Sequence, residues 1–429
     1  MNKPRKPWIR LGVATALATS GSSCASMPIQ SSSPQARRSP GSYVEVTLGR
    51  YLARAGDCQS CHTARGGIPW AGGRAVPTPF GVIYSTNITP DPATGIGDWS
   101  FEDFYRSMHE GVARGGRHLY PAFPYPWFTR LSRSDVRAIK VYLDTLKPVR
   151  QRNVPNELPW PLSMRSAMAV WNKLYFDAGA YQADPKQSAQ WNRGAYLVRG
   201  AGHCGACHSS KNFAGATDMQ HPFRGGMAEH AYAPDLTSSK RTGLGHWSVA
   251  DIVEYLGTGS NDITSAAGPM AEVVKMSTQY LSTDDRRAIA VYLKSLPASR
   301  TQDEDASSSD NIDDAVMRAG KAVYVDDCQG CHMDEGKGIP GVFPPLRGSS
   351  AIVVEKPQTL IQAVLEGAQI PPTHAKPTGL TMPAFDRKLS NAEIADVLTF
   401  IRNSWGNHAG AVSEGAVGDM RDTLGNSPE

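Results

Sequence analysis

The sequence predicts an all-α protein built from three tandem helical domains. A five-residue cysteine motif occurs three times, longer segments downstream of it resemble one another, and amphipathic segments with helical spacing flank each copy. At 429 residues the chain exceeds one ordinary domain, and a hydrophobic content of 40% is enough for several cores.

The N-terminus, MNKPRKPWIRLGVATALATSGSSCAS, has a basic start, a short apolar run and then small residues, which is typical of a secretory signal peptide. We predict that residues 1–25 are removed, with cleavage after Ala25. Lipidation of Cys24 is the alternative, and it is disfavoured because Gly21 stands where bacterial lipoproteins usually carry an apolar residue.

Removal of this segment takes away four basic residues and no acidic one, so the formal net charge falls from +4 to zero. The charge of the full chain therefore gives no reason to expect a nucleic-acid partner. No later segment approaches the ~20 apolar residues that a membrane helix requires.

The cysteine motif reads CQSCH at 58–62, CGACH at 204–208 and CQGCH at 328–332. A C-x-x-C-H motif attaches haem c, because both thiols bond to the haem and the adjacent histidine binds the iron. A thioredoxin-like pair, a zinc knuckle or a disulfide does not need that histidine. We predict three haem c groups, attached through Cys58, Cys61, Cys204, Cys207, Cys328 and Cys331, with His62, His208 and His332 as proximal iron ligands.

Repeated segments follow the motifs. Residues 94–111 match 242–259, and LSRSDVRAIKVYLDTLKP (131–148) matches LSTDDRRAIAVYLKSLP (281–297) and the shorter LSNAEIADVLTFIRNSW (389–405). The last set predicts helices that open on a serine cap with an acidic residue near the start. Because another amphipathic helix precedes each motif, the pattern indicates three tandem class I cytochrome c domains.

Composition predicts the boundaries of these domains. A connector with a packed helix around WNKLYF joins the first two, a polar acidic linker precedes the third, and the last residues form a loose tail. The predicted segments are signal peptide 1–25, first domain 44–150, connector 151–188, second domain 189–298, linker 299–311, third domain 312–406 and tail 407–429.

Two methionines are candidates for the distal iron ligands of the second and third haems. Met270 in GPMAEVV and Met382 in TMPAF each precede a closing helix, in what we expect to be a Gly/Pro-bounded loop. Met276 competes with Met270, but it lies closer to the final helix and is expected to pack there. A Met/His pair of ligands raises the reduction potential of a haem.

The first repeat has Phe123 in this position, and phenylalanine cannot bind iron. Met108 aligns with apolar core positions, and His109 is expected at the surface. His118 lies in the correct loop, so three alternatives remain open: His118 binds the first haem, it is a surface histidine near a propionate, or the site has no strong protein ligand.

The chain resembles the triheme cytochrome c subunits of bacterial membrane-bound dehydrogenases for alcohol, gluconate, sorbitol, fructose and aldehydes. The resemblance rests on YSTNITPDPATGIGDWS, GRHLYPAFPY, GPMAEVV, GVFPPLRGS, TMPAF and IADVLTFIRNSWGN, and it covers nearly the whole mature chain. That family often has methionine in place of Phe123.

The resemblance implies that electrons pass from a large catalytic subunit, of flavin, quinoprotein or molybdenum type, to ubiquinone or a terminal oxidase. It also implies a periplasmic location at the outer face of the inner membrane. The chain lacks nucleotide-binding and nucleophile motifs of its own, so substrate oxidation is expected in the partner. A peroxidase-like enzyme and a free-standing electron shuttle are the alternatives.

Overall fold

The computed structural model describes residues 42–299 and 312–426. The predicted signal peptide, Cys24 and most of the predicted linker lie outside these residues. The helices of the described ranges are α1 (Tyr43–Ala55), α2 (Cys58–Cys61), α3 (Phe101–Glu110), α4 (Tyr125–Phe128), α5 (Arg133–Leu143), α6 (Ala167–Tyr175), α7 (Ala189–Tyr196), α8 (Val249–Thr258), α9 (Gly268–Met276), α10 (Thr283–Lys294), α11 (Asp314–Val323), α12 (Gln329–His332), α13 (Gln358–Glu366), α14 (Asn391–Arg402) and α15 (Glu414–Gly425).

Each cysteine motif follows a leading helix that packs against a closing helix later in the chain. The leading helices are α1, α7 and α11, and their closing helices are α5, α10 and α14. The side chains of Ser132, Ser282 and Ser390 accept the amide of the residue three positions on and cap the closing helices. The predicted helices and their serine caps are therefore confirmed, and each cap contributes about 1 kcal/mol.

A glycine in each leading helix lets the two backbones touch. A Cβ atom on that glycine would lie 1.9, 1.9 and 2.1 Å, respectively, from a carbonyl oxygen of the closing helix. Only glycine permits such an approach. The same glycine-dependent helix crossing therefore occurs in each of the three repeats. The pairs are Gly49 with Ala138, Gly194 with Ala288 and Gly320 with Asp396.

The described ranges also contain four short two-stranded antiparallel ribbons, which the all-α prediction did not include. They are β1 (Ala75–Thr78) with β2 (Gly81–Tyr84), β3 (Val112–Ala113) with β4 (Arg117–His118), β5 (Arg224–Ala228) with β6 (Ala231–Asp235), and β7 (Ala368–Gln369) with β8 (Thr381–Met382). Every residue of β1 and β2 is half-buried. Ribbon β1–β2 therefore lacks the alternation of buried and exposed residues that marks a strand in a sequence.

The first and second repeats share one hydrophobic core. Leu52 and Leu143 of the first belong to the same buried cluster as Leu197 and Leu293 of the second. The third repeat has clusters of its own, around Ile361, Leu398 and Val417 and around Tyr324 and Ile401.

Reciprocal hydrogen bonds also join the first two repeats. The hydroxyl of Tyr51, on α1, donates to Asp285 at 2.5 Å and accepts the amide of Ser282 at 3.1 Å, both at the start of α10. The hydroxyl of Tyr196, on α7, bonds Asp135 and accepts the amide of Ser132 at 3.0 Å, at the start of α5. Each leading helix thus binds the closing helix of the other repeat in the same way.

The connector contains the helix predicted around WNKLYF, although α6 begins upstream at Ala167. Trp171 is buried, and its indole N–H donates to the Ala214 carbonyl at 2.9 Å. Tyr125 donates to the Asn172 side chain at 2.5 Å. The connector therefore packs on α4 and on the loop after the second cysteine motif.

The prediction of a loose tail over residues 407–429 is wrong, because a packed helix forms about half of that segment. Helix α15 begins after Ser413, packs against α13 and α14, and buries Val417 completely. Its apolar residues Val417, Met420 and Leu424 are few, but their spacing places them in one narrow stripe. The boundary predicted at 406 also divides a packed region, since Asn407 is buried and donates to the Leu346 carbonyl at 3.0 Å.

Candidate haem sites

The three cysteine motifs form short helical turns directly after the leading helices. The first is α2, the second is a 3₁₀ turn over Cys204–Ala206, and the third is α12 together with the π-helical turn Tyr324–Cys328 before it. The six cysteines are not in disulfides. Asp57 and His203, each directly before the first cysteine of its motif, have φ angles of 49° and 36°. A left-handed residue therefore redirects the chain before the first two motifs.

A backbone carbonyl holds the ring of each motif histidine. The Nδ1 atom of His62 lies 2.6 Å from the Thr86 oxygen, that of His208 lies 2.6 Å from the Pro234 oxygen, and that of His332 lies 3.0 Å from the Pro344 oxygen. A carbonyl only accepts, so Nδ1 carries the proton and donates it. The lone pair is left on Nε2, where a metal can bind, and the same hydrogen bond fixes the ring orientation.

Burial sets the protonation of the histidines and thiols. It lowers the pKa of His62, His208 and His332, which favours the neutral form that binds metals. Burial raises the pKa of the half-buried Cys58 thiol to about 12. A thioredoxin-like pair would need a lowered pKa, so the geometry does not favour that alternative.

Together these residues fit haem c. Each motif supplies two unpaired thiols three positions apart and a neutral imidazole with a free Nε2 atom. Cys58 and Cys204 pack against the core shared by the first two repeats, and Cys328 packs against the cluster around Tyr324. Burial of this kind is one means by which a protein tunes a haem. Bound haem c would supply a one-electron iron centre.

The structure places Met270 and Met382 differently from the sequence expectation. Met270 lies in the first turn of α9 rather than in a loop, half-buried against the core shared by the first two repeats. Gly268 and Pro269 begin this helix, and proline is favoured in a first helical turn, so the residues taken as loop markers are helix starters here. Met276, the competing residue, is the last residue of the same helix.

Met382 lies in β8, where it pairs with Ala368 of β7, and it packs against the core cluster formed by α13, α14 and α15. Met382 was expected in a loop, and its place in a short strand corrects that expectation. The Met382 side chain is half-buried, and the closing helix α14 belongs to the same cluster.

In the first repeat, Met108 is buried in the shared core, as its alignment predicts. His109 is half-buried and stacks on Tyr105, with ring centroids 4.9 Å apart. Phe123 packs against Phe128, with centroids 5.5 Å apart. An aromatic pair therefore occupies the place where the sequence comparison of the repeats expects the distal ligand.

His118 lies in β4, paired with Val112. Its carbonyl accepts from Arg165 at 3.1 Å, which ties the strand to the connector. Its Nδ1 atom is buried and has no hydrogen-bond partner among the described residues. A buried ring nitrogen without a partner is costly, and a water molecule or another group outside the chain would offset this cost.

Sequence reasoning missed two sets of residues that contact the motifs. The first set is the acceptor carbonyls Thr86, Pro234 and Pro344, of which the first two lie in the similar segments YSTNITPD and YAPDLT. The second is a group of charged side chains around Arg74, which donates to the carbonyl of Ser60 inside the first motif at 3.2 Å. A backbone acceptor has no side-chain signature, and only the repetition of those segments could have indicated it.

A profile of the cytochrome c family matches residues 317–405, so the chain contains a cytochrome c domain and carries haem c. The alcohol dehydrogenase (quinone) cytochrome c subunit of Gluconobacter oxydans (strain 621H) is 40% identical over 398 residues, which are 88% of this chain and 82% of that protein. The gluconate 2-dehydrogenase cytochrome c subunit of Pantoea cypripedii is 42% identical over 382 residues, 85% of this chain and 87% of that protein.

A diheme cytochrome c-type protein of Cereibacter sphaeroides is 36% identical over 262 residues, 59% of this chain and 86% of that protein. The chain belongs to the family of cytochrome c subunits of dehydrogenase complexes. None of the described helices is both long and apolar enough to cross a membrane.

Proposed function

We propose that the chain is a triheme electron-transfer subunit, with one haem c in each of three tandem cytochrome c domains. The observation that supports this best is the threefold repetition of one local arrangement. Each motif histidine donates Nδ1–H to a backbone carbonyl, and each motif follows a leading helix that crosses a closing helix at a glycine. The diheme relative aligns with 59% of this chain, and the remaining length is enough for a third domain.

In this proposal the thiols of each motif hold one haem and the adjacent histidine binds its iron from one side. Met270 and Met382 are the distal ligands of the second and third haems, because each precedes the closing helix of its repeat and each is half-buried against a hydrophobic core. His118 is the distal ligand of the first, and its buried, unpartnered Nδ1 atom supports this role.

The chain's own residues fix the imidazole orientation and set the potentials. Electrons would enter from a large catalytic subunit of flavin, quinoprotein or molybdenum type and leave to ubiquinone or a terminal oxidase. This places the protein in the periplasm, at the outer face of the inner membrane. The names of the relatives, which are subunits of alcohol and gluconate dehydrogenases, support a partner of this kind.

Isolation of the tagged chain from its own cells tests the proposal. A large subunit should co-purify, and substrate added to that complex should reduce the haem absorbance of this chain. The purified chain alone should oxidise no alcohol, sugar acid or aldehyde. Substrate turnover by the chain alone, or isolation without any partner under mild conditions, would contradict the proposed role.

A further inference from the structure

Arg74 is anchored beside the carbonyl that orients His62. Its backbone N–H donates to the Ser85 hydroxyl at 3.0 Å, and its carbonyl accepts the Ser85 amide at 2.9 Å. The residue after Ser85 is Thr86, whose oxygen accepts from His62. A displacement of Arg74 would therefore be transmitted to the segment that positions this imidazole.

The side chain of Arg74 reaches in two directions. Its Nη1 atom donates to the carbonyl of Ser60, between the cysteines of the first motif, at 3.2 Å and to Oε1 of Glu272 at 2.5 Å. Glu229 lies 3.5 Å from Nη2. The side chain of Arg74 is 22% exposed, so water screens its charge only partly.

Glu272 belongs to the second repeat, on the helix that also carries Met270. This helix, α9, packs against the first motif helix α2. The hydroxyl of Ser277 donates to the Ala55 carbonyl at 3.3 Å, and the guanidinium of Arg54 lies 3.9 Å above the Tyr280 ring. The segment bearing Met270 is therefore docked on the attachment turn of the other repeat, with Arg74 at the junction.

The charge of Arg74 is permanent. Burial by itself would lower the pKa of its guanidinium, but the hydrogen bond and charge of Glu272 raise that pKa above its ordinary value. Arg74 is also among the charges that act on the Cys61 thiol.

We propose that Arg74 is a positioning residue that fixes the first haem attachment turn against the Met270 helix, and that its charge raises the potential of the first haem. This inference rests on the triheme function proposed above. Oxidation adds one positive charge at the site, and a nearby fixed cation opposes it. Glu272 acts with the opposite sign, so the two side chains set the potential difference between the first and second haems.

The test is a spectroelectrochemical titration of the full haem-loaded chain and four variants. Arg74→Gln should lower one of the three midpoint potentials, and Glu272→Gln should raise one. Arg74→Lys should restore most of the Arg74→Gln shift, because it keeps the charge. The matched control is Arg106→Gln, which removes the same charge from an exposed pair with Glu110 on α3 and should leave all three potentials unchanged.

Opposite shifts in the two neutralising variants are the electrostatic signature, since simple disruption would move both in one direction. Shifts of the same sign, or no shift in either variant, would overturn the inference. If Arg74→Gln does not retain its haems, the result for Glu272→Gln decides. A raised midpoint potential in that variant would support the inference, and three unchanged potentials would contradict it. A wild-type mass with fewer than three haems would instead contradict the proposed function.

Discussion

At the scale of single residues, the motif histidines show how a short sequence signal becomes an imidazole with a fixed orientation and a free Nε2 atom. Each motif histidine directly follows the second cysteine. Its Nε2 atom is available to bind a metal only if Nδ1 carries the proton and donates it to another group. The carbonyls of Thr86, Pro234 and Pro344 accept this hydrogen bond at 2.6, 2.6 and 3.0 Å. The longest of these contacts belongs to the third motif.

Replacement of the proposed distal methionines should expose the iron. Met382→Ala and Met270→Ala should each lower one haem potential and create carbon monoxide binding at that haem, because thioether ligation raises the potential. Reduced spectra with and without carbon monoxide measure this directly. Met276→Ala is the matched control on the same helix, and carbon monoxide binding in that variant but not in Met270→Ala would reverse the assignment.

The first haem should respond to changes at His118 and Phe123. His118→Ala should open this haem to carbon monoxide, because the proposed ligand is removed. Phe123→Met should add a methionine-to-iron charge-transfer band in the near infrared and raise the lowest potential. Three such bands already present in the wild type would contradict the assignment and direct attention to Met108.

The sequence alone proposes the cysteines and histidines of these sites, but it does not indicate the residues around them. The cysteines and histidines follow from a contiguous motif. Arg74 and Glu272, by contrast, are far apart in the chain, and neither belongs to a recognisable pattern. Their pairing depends on how the second repeat packs against the first, which no local signal in the sequence reports.

At the scale of elements, the crossing of leading and closing helices is the repeated structural unit. Gly320→Ala should destabilise the protein by about 1–3 kcal/mol, because its Cβ would overlap the Asp396 carbonyl. Gly415→Ala is the control: no atom lies within 4 Å of a Cβ there, and it should be neutral or slightly stabilising. Chemical denaturation measures both, and equal stability of the two variants would contradict the proposed role of the glycine.

Elements with strong periodicity and a serine cap were predictable, whereas weakly patterned ones were not. Helices α5, α10 and α14 begin after serine as expected. Ribbon β1–β2 was missed because its residues are uniformly half-buried, and α15 was missed because its core stripe is only one residue wide at each turn. In these cases tertiary packing, rather than local preference, decides the structure.

At the scale of the whole molecule, the first two repeats form one folding unit through the shared core and the reciprocal tyrosine contacts. Asp285 is central to this interface. Burial alone would raise the pKa of its carboxyl, but hydrogen bonds from Arg193 at 2.7 Å and from Tyr51 hold the pKa below the ordinary value of 3.8. Asp285 therefore stabilises the fold above its unfolded pKa, and this contribution is lost as the pH falls through the folded pKa.

Asp285→Asn should therefore lower the free energy of unfolding by about 1–3 kcal/mol at pH 7. The difference from wild type should stay constant down to near pH 4 and then shrink as the wild-type carboxyl is protonated. Denaturant titrations across this range measure it, with the neighbouring exposed Asp284→Asn as control. A difference independent of pH below 4 would show that the charge of Asp285 is not the cause.

The number of haems is the central claim, and the intact mass of the mature protein tests it most directly. The wild type should exceed its polypeptide mass by three haem units. Each cysteine-pair variant should lose one unit: Cys58→Ala with Cys61→Ala, Cys204→Ala with Cys207→Ala, and Cys328→Ala with Cys331→Ala. A wild-type mass corresponding to two haems, or a cysteine-pair variant that retains all three, would contradict the account.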